Sequence, residues 1–157
     1  MTVVEKTQLL DALSESQAAT RALWELVDPE MQVYGDTDWC VRDIIAHLAI
    51  WDHQVVKSLH AYRSGSEYAI PDLDDDEFNQ QTILVFREMT AKSVLEQFEQ
   101  AREEFKAAIQ DIPTEMYPGD MLYPWGDERG TVVKLVDYMI EHDAEHRQEI
   151  LKVFKAS

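Results

Sequence analysis

The chain has 157 residues, the size of one domain, so the sequence predicts a single domain over residues 1–157. It carries 31 acidic against 14 basic residues, a net charge of −17, which predicts that neither nucleic acid nor an anionic membrane surface is a partner. The single cysteine, Cys40, excludes an intramolecular disulfide. Together with the lack of an export signal in residues 1–10 and of an apolar run of bilayer length, it predicts a cytoplasmic location.

Apolar residues recur at helical spacing along four long segments and one shorter one, and no segment alternates as a strand would. The predicted helices cover about residues 4–27, 37–63, 77–88, 90–112 and 131 to the C-terminal region. Thr37 or Asp38 is expected to cap the second helix, and Thr90 and Thr131 begin the last two long helices. The sequence therefore predicts an all-α fold built as a helical bundle.

Residues 113–130 form the longest segment without helical periodicity, and they include Tyr117, Tyr123 and Trp125. Long loops in compact domains are often lids or binding segments. Trp125 is therefore expected either to line a pocket or to plug one end of the bundle, and the sequence does not separate these two roles.

Three histidines predict a metal site. His142 and His146 are one helical turn apart, on the apolar stripe that Leu135 and Ile150 mark, and His47 lies on or beside the apolar face of the second predicted helix. Two facing helices could therefore bring three neutral imidazoles to one zinc-like ion and leave coordination positions open for water or substrate. The charged residues between the stripe positions are expected to face solvent: Glu141, Asp143, Glu145, Arg147 and Glu149.

The sequence also allows other roles for these histidines. A single buried histidine is more often a core residue bonded to a backbone carbonyl, which is the alternative for His47 alone. Two adjacent buried imidazoles without a shared partner would each cost about 1–3 kcal/mol, so the pair favours a metal. His53 and His60 show no such pattern. Residues 142–146 also fit the H-x-x-E-H pattern of inverted zinc peptidases, but only eleven residues follow, too few for the further ligand of those enzymes.

Two motifs carry a family resemblance. One is the run Trp39-Cys40-Val41-Arg42-Asp43-Ile44-Ile45-Ala46-His47-Leu48 with Trp51 following, and the other is the late helix with His142 and His146. Together they resemble the DinB/YfiT-like metalloenzyme superfamily and, within it, the ClbS/DfsB branch. The resemblance implies a four-helix bundle with one long crossover and an extra short helix, and metal ligands at His47, His142 and His146.

Members of this superfamily include thiol-dependent transferases and hydrolases that use zinc, nickel or related divalent ions. The ClbS-like branch is associated with hydrolytic detoxification of a reactive cyclopropane-bearing metabolite. The resemblance therefore implies a divalent-metal-dependent enzyme, a hydrolase or a thiol transferase, that acts on a small electrophilic or toxic molecule. Zinc or nickel is the expected ion, with or without a thiol cofactor, and the ion would activate water or thiol.

Further site residues follow from positions in the second predicted helix and in the loop over residues 113–130. Asp43, one turn before His47, is the candidate for orienting a ligand or acting as a base. Trp51 and Trp125 are candidates for the walls of a substrate pocket. Glu145 and Glu149 are expected to be exposed helix acids.

Two alternatives stay open at the level of sequence. The chain could be a non-catalytic protein that binds and sequesters a small molecule, with a structural or adventitious metal. The histidines could also simply pack in a bundle that forms a homodimer. Imidazole suits zinc, nickel, copper and iron alike, so the ligand set does not fix the ion.

Overall fold

The structure, a computed structural model, describes residues 3–157, and over this range it contains five α-helices and four short strands. In chain order the elements are α1 (Val3–Leu26), β1 (Gln32–Tyr34), β2 (Trp39–Cys40), α2 (Val41–Arg63), α3 (Asp75–Arg87), α4 (Ala91–Asp111), β3 (Met121–Leu122), β4 (Arg129–Gly130) and α5 (Val132–Ala156). The predicted all-α four-helix bundle with an extra short helix is confirmed. No helix within the described range has the length and apolar content that spanning a bilayer requires.

The long helices pack best against partners that do not directly follow them in the chain. Helix α2 packs mainly against α4, while α1 packs against α5 and α4, and α3 lies against α2. The connections from α1 to α2 and from α4 to α5 therefore cross the bundle. This crossing places α2 and α5, which carry the histidines, near one another.

Helix α2 is the most deeply buried element, and every residue from 43 to 52 is buried. This follows from its sequence, because an apolar run without a polar face needs neighbours on several sides, and α3, α4 and α5 supply them. Leu48 and Ile44 are at most 1% exposed, and His47 in the same run is 5% exposed. A polar ring at such a position needs a polar partner.

The start of α2 differs from the prediction. The predicted cap at Thr37 or Asp38 is wrong, because the helix begins at Val41 and Cys40 occupies the cap position. Asp38 instead has a positive φ of 59° in the turn between β1 and β2, which pair antiparallel. The Cys40 backbone N–H donates to Asp43 Oδ2 at 3.0 Å. A short antiparallel hairpin, β1 and β2, thus includes residues 37–40, which the sequence pattern had placed in the second helix.

Residues 113–130 also contain more order than predicted. They hold a short 3-10 turn (Thr114–Met116) and a hairpin in which β3 pairs antiparallel with β4. The hairpin is tied to α5, because Trp125 Nε1 donates to Glu128 Oε1 at 3.1 Å and Tyr138 donates to Glu128 Oε2 at 2.7 Å. The loop therefore holds Trp125 at a fixed place over the bundle.

An ion network is buried inside the bundle, and it corrects one predicted surface position. Asp143 was expected to face solvent but is 0% exposed, because its Oδ2 accepts from Arg102 Nη2 at 2.8 Å and from Ser16 at 2.9 Å. Arg102 also bonds Asp52 through two nitrogens, at 2.9 and 3.2 Å. Two carboxylates and one guanidinium thus join α2, α4 and α5 in the interior.

Candidate metal centre

Helices α2 and α5 bring the three histidines to one point. The Nε2 atom of His142 lies 3.0 Å from Nε2 of His47 and 3.2 Å from Nε2 of His146. One ligand nitrogen from each ring lies within 4.8 Å of the others. Nitrogens bound at ~2.0–2.1 Å to one tetrahedral ion are ~3.3 Å apart, so this spacing fits a shared divalent cation. We call these residues the three-histidine cluster.

Hydrogen bonds alone satisfy the contacts at His142 Nε2 only poorly. A neutral imidazole nitrogen either carries one hydrogen or offers one lone pair in the ring plane. If the atom carries the hydrogen, it donates to one neighbour and turns no lone pair to the other. If it carries the lone pair, two N–H groups must share it. A cation at the meeting point would use one lone pair from each ring, and three imidazoles suit zinc, nickel, copper and iron.

The environment keeps the imidazoles neutral, as metal binding requires. Burial, followed by the proximity of His142 and His146, lowers the pKa of His47 to about 2. Burial and the neighbouring His146 lower the pKa of His142 to about 4. Burial also lowers the pKa of His146, although Glu149 acts in the opposite direction. All three lone pairs are therefore available at neutral pH.

A tyrosine and a glutamate hold His146 from the far side. The Tyr34 hydroxyl lies 2.8 Å from His146 Nδ1 and donates to Glu149 Oε1 at 2.5 Å. Glu149 Oε1 is itself 2.9 Å from His146 Nδ1. Because Tyr34 gives its proton to Glu149, Nδ1 of His146 must carry the hydrogen in this group. The Nε2 lone pair of His146 is thereby directed toward the cluster.

This support was missed or misjudged from sequence. Glu149 was expected to be an ordinary exposed acid, although its i+3 spacing from His146 on the same helix was a usable signal. Tyr34 lies on β1, far away in the sequence, and no local pattern links it to α5. Only the folded chain places its hydroxyl beside His146.

The other two histidines are held less directly. His47 is packed against the Trp39 ring, with ring centroids 5.3 Å apart, and a hydrogen bond with the Asn79 side chain opposes the lowering of its pKa. The Nδ1 atom of His142 is buried and has no hydrogen-bond partner among the described residues. The orientation of His142 therefore depends on packing, whereas that of His146 depends on hydrogen bonds.

Asp43 lies on α2 but its contacts are elsewhere. Its carboxylate accepts from the Cys40 backbone and from Arg87, at 3.2 Å from Arg87 Nε. None of its hydrogen bonds within residues 3–157 reaches an imidazole. The predicted role of Asp43 as a base or ligand-orienting group therefore gains no support; its contacts show a carboxylate that accepts from the backbone of Cys40, the cap residue of α2, and pairs with Arg87.

A cavity of about 440 Å³ opens directly onto the three-histidine cluster. We call it the aromatic cavity, and its other walls are Trp51, Asp75, Asn79, Trp125, Tyr138 and Met139. Trp51 and Trp125, the predicted pocket residues, thus both line it. Tyr138 and Asn79 were not singled out from sequence, because neither stands in a motif.

A second cavity, of about 350 Å³, also borders His47 and His146. We call it the acidic cavity, since Asp36, Asp76 and Glu149 line it together with Tyr34. The side-chain polar atoms Thr37 Oγ1 and Trp39 Nε1, from residues of the same wall, are buried and have no partner among the described residues. Unpaired polar atoms of this kind could donate to an acceptor atom of a ligand.

The family follows from a match over most of the chain. The family model of the DinB superfamily matches residues 5–150. The chain belongs to the DinB superfamily. This confirms the family that the motifs around His47 and His142 predicted. No protein with a curated description matches the sequence.

Solved structures show the same fold at low sequence identity. YfiT from Bacillus subtilis, described as a probable metal-dependent hydrolase with an unusual four-helix bundle topology, aligns with a TM-score of 0.78 at 14% identity, over 99% of this chain and 89% of that chain. DfsB and the colibactin self-resistance protein ClbS align with TM-scores of 0.78 and 0.77, each at 14% identity over 96% of this chain and 95% of theirs. The two proteins that give the predicted branch its name therefore share this fold.

A mycothiol-dependent maleylpyruvate isomerase also has this fold, with a TM-score of 0.73 at 14% identity. The alignment covers 96% of this chain but only 63% of the isomerase chain. At such identities the likeness concerns the fold and not the substrate.

One prediction from composition is wrong. Net charge was taken to exclude nucleic acid, yet the ClbS structure with this fold is a complex with a double-stranded DNA. A net charge of −17 describes the whole surface, whereas contact with phosphates depends on where individual Lys and Arg side chains lie. The charge of this chain therefore does not exclude nucleic acid as a partner.

Proposed function

We propose that this chain is a divalent-metal-dependent enzyme, a hydrolase or a thiol transferase, that acts on a small electrophilic molecule bound in the aromatic cavity. The observation that supports it is the meeting of three imidazole Nε2 atoms at the wall of that cavity. When bound, a zinc-like or nickel-like ion with three neutral ligands lowers the pKa of water or of a thiol and so supplies a nucleophile at cellular pH.

The side chains of the site have separate tasks in this proposal. His47, His142 and His146 hold the ion, and their low pKa values keep them unprotonated at neutral pH. Tyr34 and Glu149 fix the proton on Nδ1 of His146, so that its ring does not rotate or change tautomer. The aromatic walls orient the substrate and exclude bulk water, which strengthens electrostatic interactions in the cavity.

Metal analysis tests the ligand set. We expect about one zinc or nickel ion per chain in protein purified without a polyhistidine tag, and less than about a tenth of that in His142→Ala. His60→Ala is the matched control, because this exposed histidine of α2 lies outside the cluster and its loss should leave metal content unchanged. Equal metal content in all three proteins, measured by plasma mass spectrometry, would show that the ion binds elsewhere.

Turnover measurements test whether the protein catalyses a metal-dependent reaction. We expect hydrolysis of an activated ester, or its transfer to an added thiol, to be lost on chelation and restored by zinc. Circular dichroism should show that the helices persist without metal. Comparing rates with and without thiol separates a hydrolase from a thiol transferase.

A non-catalytic sequestering protein is the second candidate, and the aromatic cavity favours it. The side chains of its walls are held by contacts within the protein and not by a metal. One such contact is the hydrogen bond that Trp51 Nε1 donates to Asn79, at 2.9 Å. If metal-free protein keeps full ligand affinity and the metal-loaded protein shows no turnover, the sequestering role replaces the enzyme.

For either candidate function we also propose a cytoplasmic location, and this proposal rests on the single cysteine.

A further inference from the structure

We infer that Asn79 is a specificity-determining residue whose side-chain Nδ2–H holds a hydrogen-bond-accepting oxygen of the substrate, such as a carbonyl oxygen, beside the three-histidine cluster. This inference rests on the proposed function in one respect, since it takes the aromatic cavity as the substrate site. It goes further because it names the residue that recognises the substrate and the chemical group that this residue selects.

Asn79 on α3 lies in the wall of both cavities that border the cluster. It lines the aromatic cavity and the acidic cavity, and His47 is a wall residue of both. A ligand in either cavity therefore has the Asn79 side chain in the same wall as a proposed metal ligand.

Trp51 fixes the orientation of the Asn79 amide. Trp51 Nε1 can only donate, so the amide atom that lies 2.9 Å from it is the oxygen, Oδ1. Burial lowers the pKa of His47, and its hydrogen bond with Asn79 acts in the opposite direction, as a bond to an acceptor does. Both contacts therefore use the amide oxygen, and they leave the Nδ2 group free of Trp51 and His47.

The Nδ2 group of Asn79 is also accessible. It donates to no atom within residues 3–157, and it is not one of the buried polar atoms that lack a partner in this range. A polar atom that has no partner and is not buried is open to solvent or to a ligand. The amide thus offers N–H donors at the wall of the two cavities.

The other side-chain donors of the aromatic cavity are already used. Trp51 donates to the amide oxygen described above. Trp125 Nε1 and the Tyr138 hydroxyl both donate to Glu128. Asp75 is exposed, and a carboxylate can only accept. Apart from the imidazoles of the cluster, the amide Nδ2 group is therefore the free side-chain donor of this cavity among the described residues. One placed donor in an aromatic wall favours a ligand oxygen over an apolar group of the same shape.

The test uses two probes that differ in one group. Acetophenone has a carbonyl oxygen that accepts a hydrogen bond, and α-methylstyrene has a methylene group in place of that oxygen. Each is titrated into the full-length, metal-free, isotope-labelled protein, and the assigned side-chain amide signals of Asn79 are followed by NMR. Both probes carry the same ring, so a difference in shift reports the hydrogen bond.

We expect acetophenone to move an Asn79 Nδ2 proton downfield in a saturable way, and α-methylstyrene to move it less or not at all. Equal shifts with the two probes, or no saturation with acetophenone below about 10 mM, would overturn the proposal.

A matched pair of variants locates the effect. Asn79→Asp keeps an oxygen for Trp51 but replaces the donor with a second acceptor. The ratio of the acetophenone to the α-methylstyrene dissociation constant should therefore rise at least about fivefold. Gln81→Glu makes the same amide-to-carboxylate change on α3, at an exposed position outside both cavities, and should leave the ratio unchanged. An unchanged ratio in Asn79→Asp, or equal effects of the two variants, would show that Asn79 does not contact the ligand.

Failure here and failure of the proposed function are distinguishable. Loss of the probe preference leaves metal content and turnover as they are. Absence of bound metal leaves the metal-free titrations fully interpretable.

Discussion

At the scale of single residues, His146 shows how one hydrogen bond decides the chemistry of a ligand. An imidazole can present either nitrogen, and the choice is set by what the other nitrogen meets. Here Nδ1 faces Tyr34 and Glu149, so Nε2 is the nitrogen that points to His142. The hydroxyl and the carboxylate thus matter to the site although neither joins the three-histidine cluster.

Tyr34→Phe tests this support. The variant keeps the ring and its packing but removes the hydroxyl that joins His146 Nδ1 to Glu149, and we expect metal affinity to fall about 10-fold to 100-fold. Competition with a chromophoric chelator measures the affinity. Tyr68→Phe is the control, because its hydroxyl bonds Gln54 and touches no cluster residue. Unchanged affinity in Tyr34→Phe would mean that packing alone orients His146.

At the scale of elements, Arg102 joins three helices inside the core. From α4 it bonds Asp52 on α2 and Asp143 on α5, and all three side chains are at most 1% exposed. Burial raises the pKa of Asp52 to about 6, although Arg102 acts in the opposite direction. The network therefore has a large desolvation cost, and the ion pairs offset it only while every member is present. Asp143 directly follows His142, so the network also fixes the helix that carries two ligands.

Arg102→Met should leave the two buried aspartates without their counter-charge. We expect the free energy of unfolding in urea at pH 7, followed by circular dichroism, to fall by about 3–5 kcal/mol. Arg21→Met is the control, since Arg21 pairs with Glu99 on the surface and its loss should change stability little. A similar small change for both variants would contradict a structural role for the buried network.

At the scale of the whole molecule, an ion in the cluster would link two helices that otherwise touch little. Helices α2 and α5 pack chiefly on other partners, α2 on α4 and α5 on α1. A ligand that binds only the folded state stabilises it according to its concentration relative to the dissociation constant. Metal binding is therefore expected to raise the stability of the entire bundle.

Zinc should stabilise the protein in proportion to site occupancy. At free zinc one hundred times the dissociation constant, we expect about 2.7 kcal/mol and a rise in Tm of roughly 5–11 °C over protein in chelator. Differential scanning calorimetry in zinc buffers measures this shift. His142→Ala should lose it. An equal shift in that variant would point to zinc on surface carboxylates, which a chain of net charge −17 has in abundance.

Patterns within the sequence were enough to predict the bundle and to single out the three histidines of the cluster. The i, i+4 spacing of His142 and His146 and the apolar run around His47 act within single helices, where geometry is fixed by backbone hydrogen bonds over a few residues. Contacts between separate elements could be read only from the folded chain: Tyr34 beside His146, Asp143 beside Arg102, and Asp43 beside Arg87. These contacts depend on where separate elements meet, and pairs such as Tyr34 and His146, 112 residues apart, leave no periodic signal in the chain.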